Sequence, residues 1–417
     1  ILYLWPYEHR KYRKDYQNIQ ILIQAILHTK LYAKALWLCS PFANELERCY
    51  VESWRGFACS LGPMVSKTGI NIILEETNTG LSMQGVERIL RESMMGKRNQ
   101  NVIWKQDKRY IKALIECKQQ KREAVIKAKG TYLITGGLGG LGLLFAKYLA
   151  EKYQASLILT GRSLLTQEGQ EELGEIRKLG GKAIYLRADV TDKQQMEFQL
   201  EEAQSLLGQV RGIIHAAGNF GETVFREKGW EEFKNTVSPK VEGVQTLEKL
   251  FHNKPLDFTC YFSSLSAILG DFGHCDYAVG NAFMMSYAGY QNSLESEKKK
   301  VGRVVAINWP LWRNGGMKMG SEEDFLYLSR SGQRYLENEE GIQSFETILT
   351  LSGSQYLVVA RDSQKKDQMF LSDVVLKKTK DIQAGVDESK IEEEIEKDLK
   401  KIISNQYGIP IGKLKRT

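Results

Sequence analysis

Ser264, Tyr277, Asn281 and Lys240 are the residues of this 417-residue sequence whose types and spacing could do chemistry together. Ser264 ends an apolar run, Tyr277 follows thirteen residues later, and Asn281 lies four residues beyond it. If residues 276–290 are helical, Tyr277 and Asn281 share a face, because positions four apart are neighbours on an α-helix. A serine hydroxyl can hold a carbonyl oxygen while a tyrosine hydroxyl hands that oxygen a proton. A free phenol ionises near pH ~10, so one that works near neutrality needs a cation beside it. The commonest source of that charge is a lysine four residues after the tyrosine, and here that place holds Asn281. Lys240, 24 residues before Ser264, is the candidate replacement. Alone it would read as a solvated helix lysine.

A second group points to a ligand. Thr135, Gly136, Gly137, Leu138, Gly139, Gly140, Leu141 and Gly142 follow the strand-like TYLIT and precede the helix-like LLFAKYLAEKY. Glycines between a strand and a helix allow a tight turn and close approach of the backbone to a pyrophosphate on the helix N-terminus. The next strand ends in Arg162, 20 residues after Gly142, where an acidic residue would bind the ribose hydroxyls of NAD. A guanidinium there can pair a 2′-phosphate, which favours NADPH. Asp189 with Val190, and the turn His215, Ala216, Ala217 and Gly218, end later strands at the edge where adenosine would lie. His274-Cys275-Asp276 invites a hydrolase reading, but adjacent side chains diverge, whereas a nucleophile, its base and the orienting group must converge. The five histidines are scattered with no HxH or HExxH spacing, so no metal site is expected.

The elements that must position these residues fall into three zones. Residues 129–375 hold strand candidates at 131–135, 156–160, 182–188, 212–216, 257–263, 303–308 and 355–360, with helical stretches between most of them. Several are continuous apolar runs, as parallel strands buried on both faces require. The expectation is an α/β fold with a doubly wound parallel sheet. Residues 1–128 show a βαβ rhythm without a glycine-rich turn: ILYLWP, an amphipathic helix over 16–34, ALWLC, a helix over 51–62 and INIILEE. From Val86 to Lys129 charge is dense and connecting helix is expected. Residues 376–417 read as a linker followed by a lone amphipathic helix.

With those motifs in hand, the chain resembles a ketoreductase domain of a bacterial modular polyketide synthase, in the short-chain dehydrogenase/reductase superfamily. TGGLGGLG, HAAG, YFSSLSAILG, DYAVGNAF and INWPLW are similar to that family's motifs, and in it the lysine and asparagine exchange places as they do here. ILYLWP, ALWLC and SWRGFACSLGP resemble the family's truncated Rossmann-like structural subdomain, and the last zone resembles the start of an acyl carrier protein. The resemblance implies NADPH-dependent reduction of a β-ketoacyl chain, held on a carrier-protein phosphopantetheine arm, to a β-hydroxyacyl thioester. Tyr277 would donate the proton, Ser264 bind the ketone oxygen, Lys240 lower the tyrosine pKa, and Asn281 fix Lys240 and a water. Gly315, Gly316 and Met317 resemble the start of a mobile lid, continued by 321–349. Where the family carries a Leu-Asp-Asp marker this chain reads Phe220-Gly221-Glu222. The tryptophan of the opposite class is replaced by Leu269, and a usual glutamine by His274. The absent aspartate implies the L-hydroxy product. Neighbouring domains of the same synthase would be partners. A redox-silent module kept for carrier docking or architecture is the rival expectation, and a free-standing sugar epimerase or dehydrogenase of the superfamily is a third.

Composition bounds the rest. Hydrophobic residues make up 42% and charged residues 26%, which excludes a mostly disordered chain. No apolar run approaches the ~18 residues of a membrane span. The net charge of +7 gives no specific reason to expect nucleic-acid binding. The six cysteines form no CxxC pair and read as reduced thiols of a cytoplasmic protein. The first residues lack the order of a secretory leader, and the chain reads as a piece of something longer.

Overall fold

Apolar β-branched runs lie in strands buried on both faces, and they make two sheets. The structure is a computed structural model that describes residues 1–29, 33–61, 69–95, 101–117, 125–221, 223–271, 274–295, 302–316, 324, 327–329 and 331–361. The linker and carrier-like helix expected over 376–417 lie outside the described residues. Among the described residues no helix is long and apolar enough to cross a membrane.

The first sheet runs β1 (Leu2–Tyr3), β2 (Ala35–Phe42), β3 (Gly69–Glu76), β4 (Asn101–Lys105) and β5 (Lys108–Ile111), in that order. Its helices are α1 (Trp5–Glu8), α2 (Tyr16–Thr29), α3 (Glu45–Ser53), α4 (Arg55–Leu61) and α5 (Met83–Met94). The single helix expected over 51–62 is two helices broken at the fully buried Trp54. The connecting helix expected after Val86 gives way, past α5, to the antiparallel β4–β5 hairpin. Its turn residues Gln106 and Asp107 both take positive φ, as a tight hairpin turn needs. The charge that hid this hairpin sits on the exposed edge strand β5, where edge strands commonly carry it.

The second sheet is parallel and carries the site. Its strands are β6 (Thr131–Thr135), β7 (Ser156–Gly161), β8 (Lys182–Arg187), β9 (Val210–His215), β10 (Phe258–Ser264), β11 (Arg303–Trp309) and β12 (Gln355–Leu357). Their order is β12-β11-β10-β9-β6-β7-β8, with all pairs parallel. The helices are α6 (Gly140–Tyr153), α7 (Gln167–Lys178), α8 (Lys193–Leu207), α9 (Trp230–Phe251), α10 (Ser266–Leu269), α11 (Cys275–Glu295) and α12 (Asn338–Thr350). The chain leaves β6 toward β7 and leaves β9 toward β10, so a crevice opens between the carboxyl ends of β6 and β9. This is the doubly wound sheet expected from the sequence, and such crevices bind ligands.

The strip α9–α11 joins the two units. One apolar core gathers Trp54 and Phe57 of the first unit with Phe233, Val279 and Phe283 of the second. At Gly56 a side chain would collide with the Val279 backbone, so that glycine lets α4 lie directly on α11. Ser286 of α11 donates to the buried Glu52 at 2.6 Å, and Lys112 pairs with the same carboxylate at 2.8 Å.

Helix α12 departs from the expected lid over 321–349. Phe345 is fully buried and packs edge-on to Phe145, centroids 4.9 Å apart, so 338–349 belongs to the core beneath α6. The reason is its amphipathic stripe, with Phe345, Ile348 and Leu349 buried. Phe145→Ala should lower stability by about 3–5 kcal/mol, read as a shift of the denaturant midpoint, because it empties a site touching Phe262, Phe345 and Trp312. An unshifted midpoint would contradict that packing.

Candidate active site

The glycine turn follows β6 as the sequence suggests. Gly136 adopts φ +66°, a conformation side chains resist. A Cβ at Gly142 would strike the Gly136 carbonyl oxygen, and one at Gly140 would strike the Gly315 backbone. The turn is therefore folded tightly under the start of α6, and the chain after β11 passes directly over it.

Two cavities border this turn. The inner one, about 320 Å³, is lined by Gly139, Gly140, Leu141, Gly142, Ala216, Gly218, Phe220, Lys240, Ser264, Asp271, Tyr277, Gly316 and Tyr327, among others. The outer one, about 440 Å³, is lined by Leu138, Arg162, Asp189, Val190, Ala217 and Asn219, among others. Both share Gly136, Gly139 and Gly218. Volumes of a few hundred Å³ suit small-molecule ligands. A backbone cradle that no Cβ could enter, a helix N-terminus and an arginine in the outer cavity together fit a dinucleotide.

Five of the expected residues do not line either cavity, Asn281 among them. Thr135, Gly137, His215 and Leu269 stand behind it. Thr135 and His215 are fully buried. Their contact is 2.7 Å between Thr135 Oγ1 and His215 Nδ1, while His215 Nε2 lies 3.0 Å from the Pro239 carbonyl oxygen. Burial, together with the Lys240 charge, pushes the imidazole down to about 3, so His215 is a neutral fastener between β6, β9 and α9. Gly137 packs against the Leu159 backbone, and Leu269 packs on the core shared with the first unit. Met317 lies outside the described residues.

The fastened carbonyl belongs to the residue before Lys240. Pro239 sits inside α9 and has no N–H, which frees the Asn235 carbonyl. Asn219 Nδ2 takes it at 3.2 Å, while Arg162 donates to Asn219 Oδ1 at 2.8 Å. The helix is thus held at two carbonyls in the turn before Lys240, and the same asparagine orients the arginine.

Lys240 is 3% exposed. Its ammonium lies 5.0 Å from the centroid of the Tyr277 ring. Two glycines make this possible: a Cβ at Gly218 would come within 3.0 Å of Nζ, and one at Gly280 within 3.0 Å of Cδ. Among the described residues no carboxylate pairs with it, and burial pushes its pKa down to about 7. The Tyr277 phenol is pushed up to about 12 by burial and by the Asp271 carboxylate, while hydrogen bonds from Asn281 and Ser264 act in the opposite direction. Asn281 Nδ2 donates to the Tyr277 carbonyl at 2.8 Å, one turn back along α11, and its Oδ1 is buried with no partner among the described residues. The Ser264 hydroxyl also accepts from the Ser266 amide at 3.1 Å. Three of the four expected catalytic residues thus meet in one cavity, a hydroxyl at the end of a strand, a phenol on α11 and an ammonium from α9, while the fully buried Asn281 stands one turn behind the phenol and outside the lining.

Sequence reading missed Asp271, Tyr327 and Asn219. None shares a periodicity with the catalytic residues, and each reaches the cavities from an irregular or short segment.

A KR domain family model matches residues 130–314. The polyketide synthase PksM of Bacillus subtilis is 43% identical over 361 residues, 86% of this chain and 8% of that protein, so the chain spans a small part of it. A crystal structure of a ketoreductase domain from the bacillaene assembly line is 30% identical, with a TM-score of 0.75 and 82% of both chains covered. An N-terminal ketoreductase from the macrolactin assembly line is 27% identical with a TM-score of 0.68, covering 82% of this chain and 67% of that one. By these matches the chain belongs to the ketoreductase domain family of polyketide synthases.

Proposed function

We propose that this chain reduces the β-keto group of an acyl chain carried on the phosphopantetheine arm of an acyl carrier protein, giving a β-hydroxyacyl thioester. The observation that carries this reading is the buried Lys240 ammonium beside the Tyr277 ring, in a cavity that continues from the glycine turn. NADPH, when bound, supplies the hydride. Gly136 to Gly142 would hold its pyrophosphate, Arg162 its 2′-phosphate, and Asp189, Val190 and Ala217 its adenosine. Ser264 donates a hydrogen bond to the ketone oxygen, and Tyr277 gives that oxygen a proton. Lys240 makes the phenol a stronger acid by stabilising the phenolate left behind. Asn281, whose Oδ1 is buried without a partner among the described residues, would help fix Lys240 and a water. Phe220, whose ring lies 5.5 Å from that of Tyr277, stands where the family's marker motif begins, and the absence of that motif's aspartate from the sequence supports the L-hydroxy product. Glu222 lies outside the described residues. Neighbouring domains of the same synthase would deliver and receive the carrier protein.

The test is incubation with a β-ketoacyl thioester and NADPH, followed by chiral analysis. The expected outcome is one NADPH consumed per L-β-hydroxyacyl thioester formed. Tight NADPH binding with no reduction of any β-ketoacyl thioester would favour the architectural alternative. Arg162→Ala should weaken NADPH binding by about 10- to 100-fold, the loss of one charge-assisted bidentate contact, and leave NADH little changed. Equal losses for both cofactors, measured by fluorescence titration, would reject the 2′-phosphate role.

A further inference from the structure

An ion pair next to the phenol has no part in the reading above. Lys228 precedes α9, and Asp276 stands in the first turn of α11, directly before Tyr277. Lys228 Nζ lies 2.7 Å from Asp276 Oδ2, with the two side chains 0% and 1% exposed. Taking both charges out of water costs several kcal/mol per ion, and an apolar pair of similar volume commonly holds a fold as well or better. Stability alone therefore gives no reason for charges here.

Their surroundings give one. The backbone of 225–228 is held by the first unit: Gln20 and Gln24 donate to the Lys228 carbonyl at 2.7 and 3.0 Å, and Gln24 also donates to the Phe225 carbonyl at 2.7 Å. Gln20 is itself 2% exposed. On the far side of the ammonium, a Cβ at Gly221 would press on Lys228 Nζ and come within 3.3 Å of Asp276 Oδ2. One residue earlier, Phe220 rests on both Tyr277 and His274, at centroid distances of 5.5 and 4.6 Å. The backbone that presents Lys228 is thus held by α2, while the pair itself borders the loop that carries Phe220 and the turn that presents the phenol.

We propose that Lys228 and Asp276 are positioning residues: their buried ion pair, anchored by Gln20 and Gln24 of the first unit, fixes the Tyr277 phenol against the Phe220 wall of the substrate cavity. This rests on the ketoreductase reading above. It gives the first unit a part in turnover that its lack of a glycine turn does not reveal.

The test is the double variant K228M/D276N, which removes both charges and keeps side-chain length. It should melt near the wild-type temperature and bind NADPH within about twofold of wild type, with KM little changed and kcat lower by on the order of 10- to 10²-fold. A kcat within about twofold of wild type would overturn the proposal, as would a kcat loss matched by an equal loss of NADPH affinity. If the double variant does not fold, Q20M/Q24M decides, since it removes both side-chain donors to the carbonyls of residues 225 and 228. A kcat lowered several-fold at unchanged NADPH affinity supports the proposal, and an unchanged kcat overturns it. The wild-type protein run alongside separates the two claims: active wild type with a fully active variant rejects the positioning role alone. Inactive wild type rejects the ketoreductase reading and this proposal with it.

Discussion

Replacing Tyr277 by phenylalanine should lower turnover of a β-ketoacyl thioester by about 10²- to 10⁴-fold, the usual worth of a positioned general acid. NADPH affinity should stay near the wild-type value, because the phenolic oxygen lies in the inner cavity and the pyrophosphate cradle is built from Gly136 to Gly142. The ring itself should remain in place. It sits edge-on to Phe220 and beneath the Lys240 ammonium, and phenylalanine keeps those contacts. The loss should therefore appear in kcat with KM little altered, which is the signature of an interaction used only in the transition state. Full activity in the variant, measured by steady-state NADPH oxidation, would remove Tyr277 from the reaction.

Lys240→Met should cost about 10- to 10³-fold, since an opposite charge at this range is worth ~1–3 pKa units to the phenol. The variant also changes the pH profile, and the sign follows from where the lysine titrates. Burial holds Lys240 down to about 7, so its ammonium is present below that pH and lost above it. Reduction by the wild type should be fastest below neutrality and fall as pH rises through about 7. The methionine variant has no charge to lose, and that limb of kcat/KM should flatten. A variant that keeps the wild-type limb would assign it to another group. The same glycines that admit Lys240 make a separate check possible. Gly218→Ala places a methyl group against Nζ and should lower kcat without touching the phenol.

How much of this was legible in the sequence depends on how each contact is made. The seven strands of the second sheet could be read because parallel strands buried on both faces must be continuous apolar runs, as in SLILT and RVVAIN. The catalytic four could be read because three lie at a strand end or on one helix face, where spacing maps onto position. Lys240 needed the family resemblance, since no local rule links a lysine on α9 to a tyrosine on α11. The hairpin β4–β5 was hidden by its charged outer strand, and the break at Trp54 by an unbroken helical pattern on both sides. His215 looked like a cofactor contact because it ends a strand at the right edge. In the fold its ring turns inward to Thr135 and Pro239. Asp271 and Asn219 carry no periodic signal at all, and they reach the cavities only because distant segments converge. The lid expected from Ser321 onward failed over 338–349, where an amphipathic stripe marks a core helix more directly than it marks a cover.

The most direct test follows a deuterium label from C4 of the reduced nicotinamide through a single turnover with a β-ketoacyl thioester. The proposal predicts one deuterium at the β-carbon of the hydroxyacyl product, with the oxygen protonated from solvent by way of Tyr277. Bound cofactor that keeps its label, beside a thioester that keeps its ketone, would contradict it.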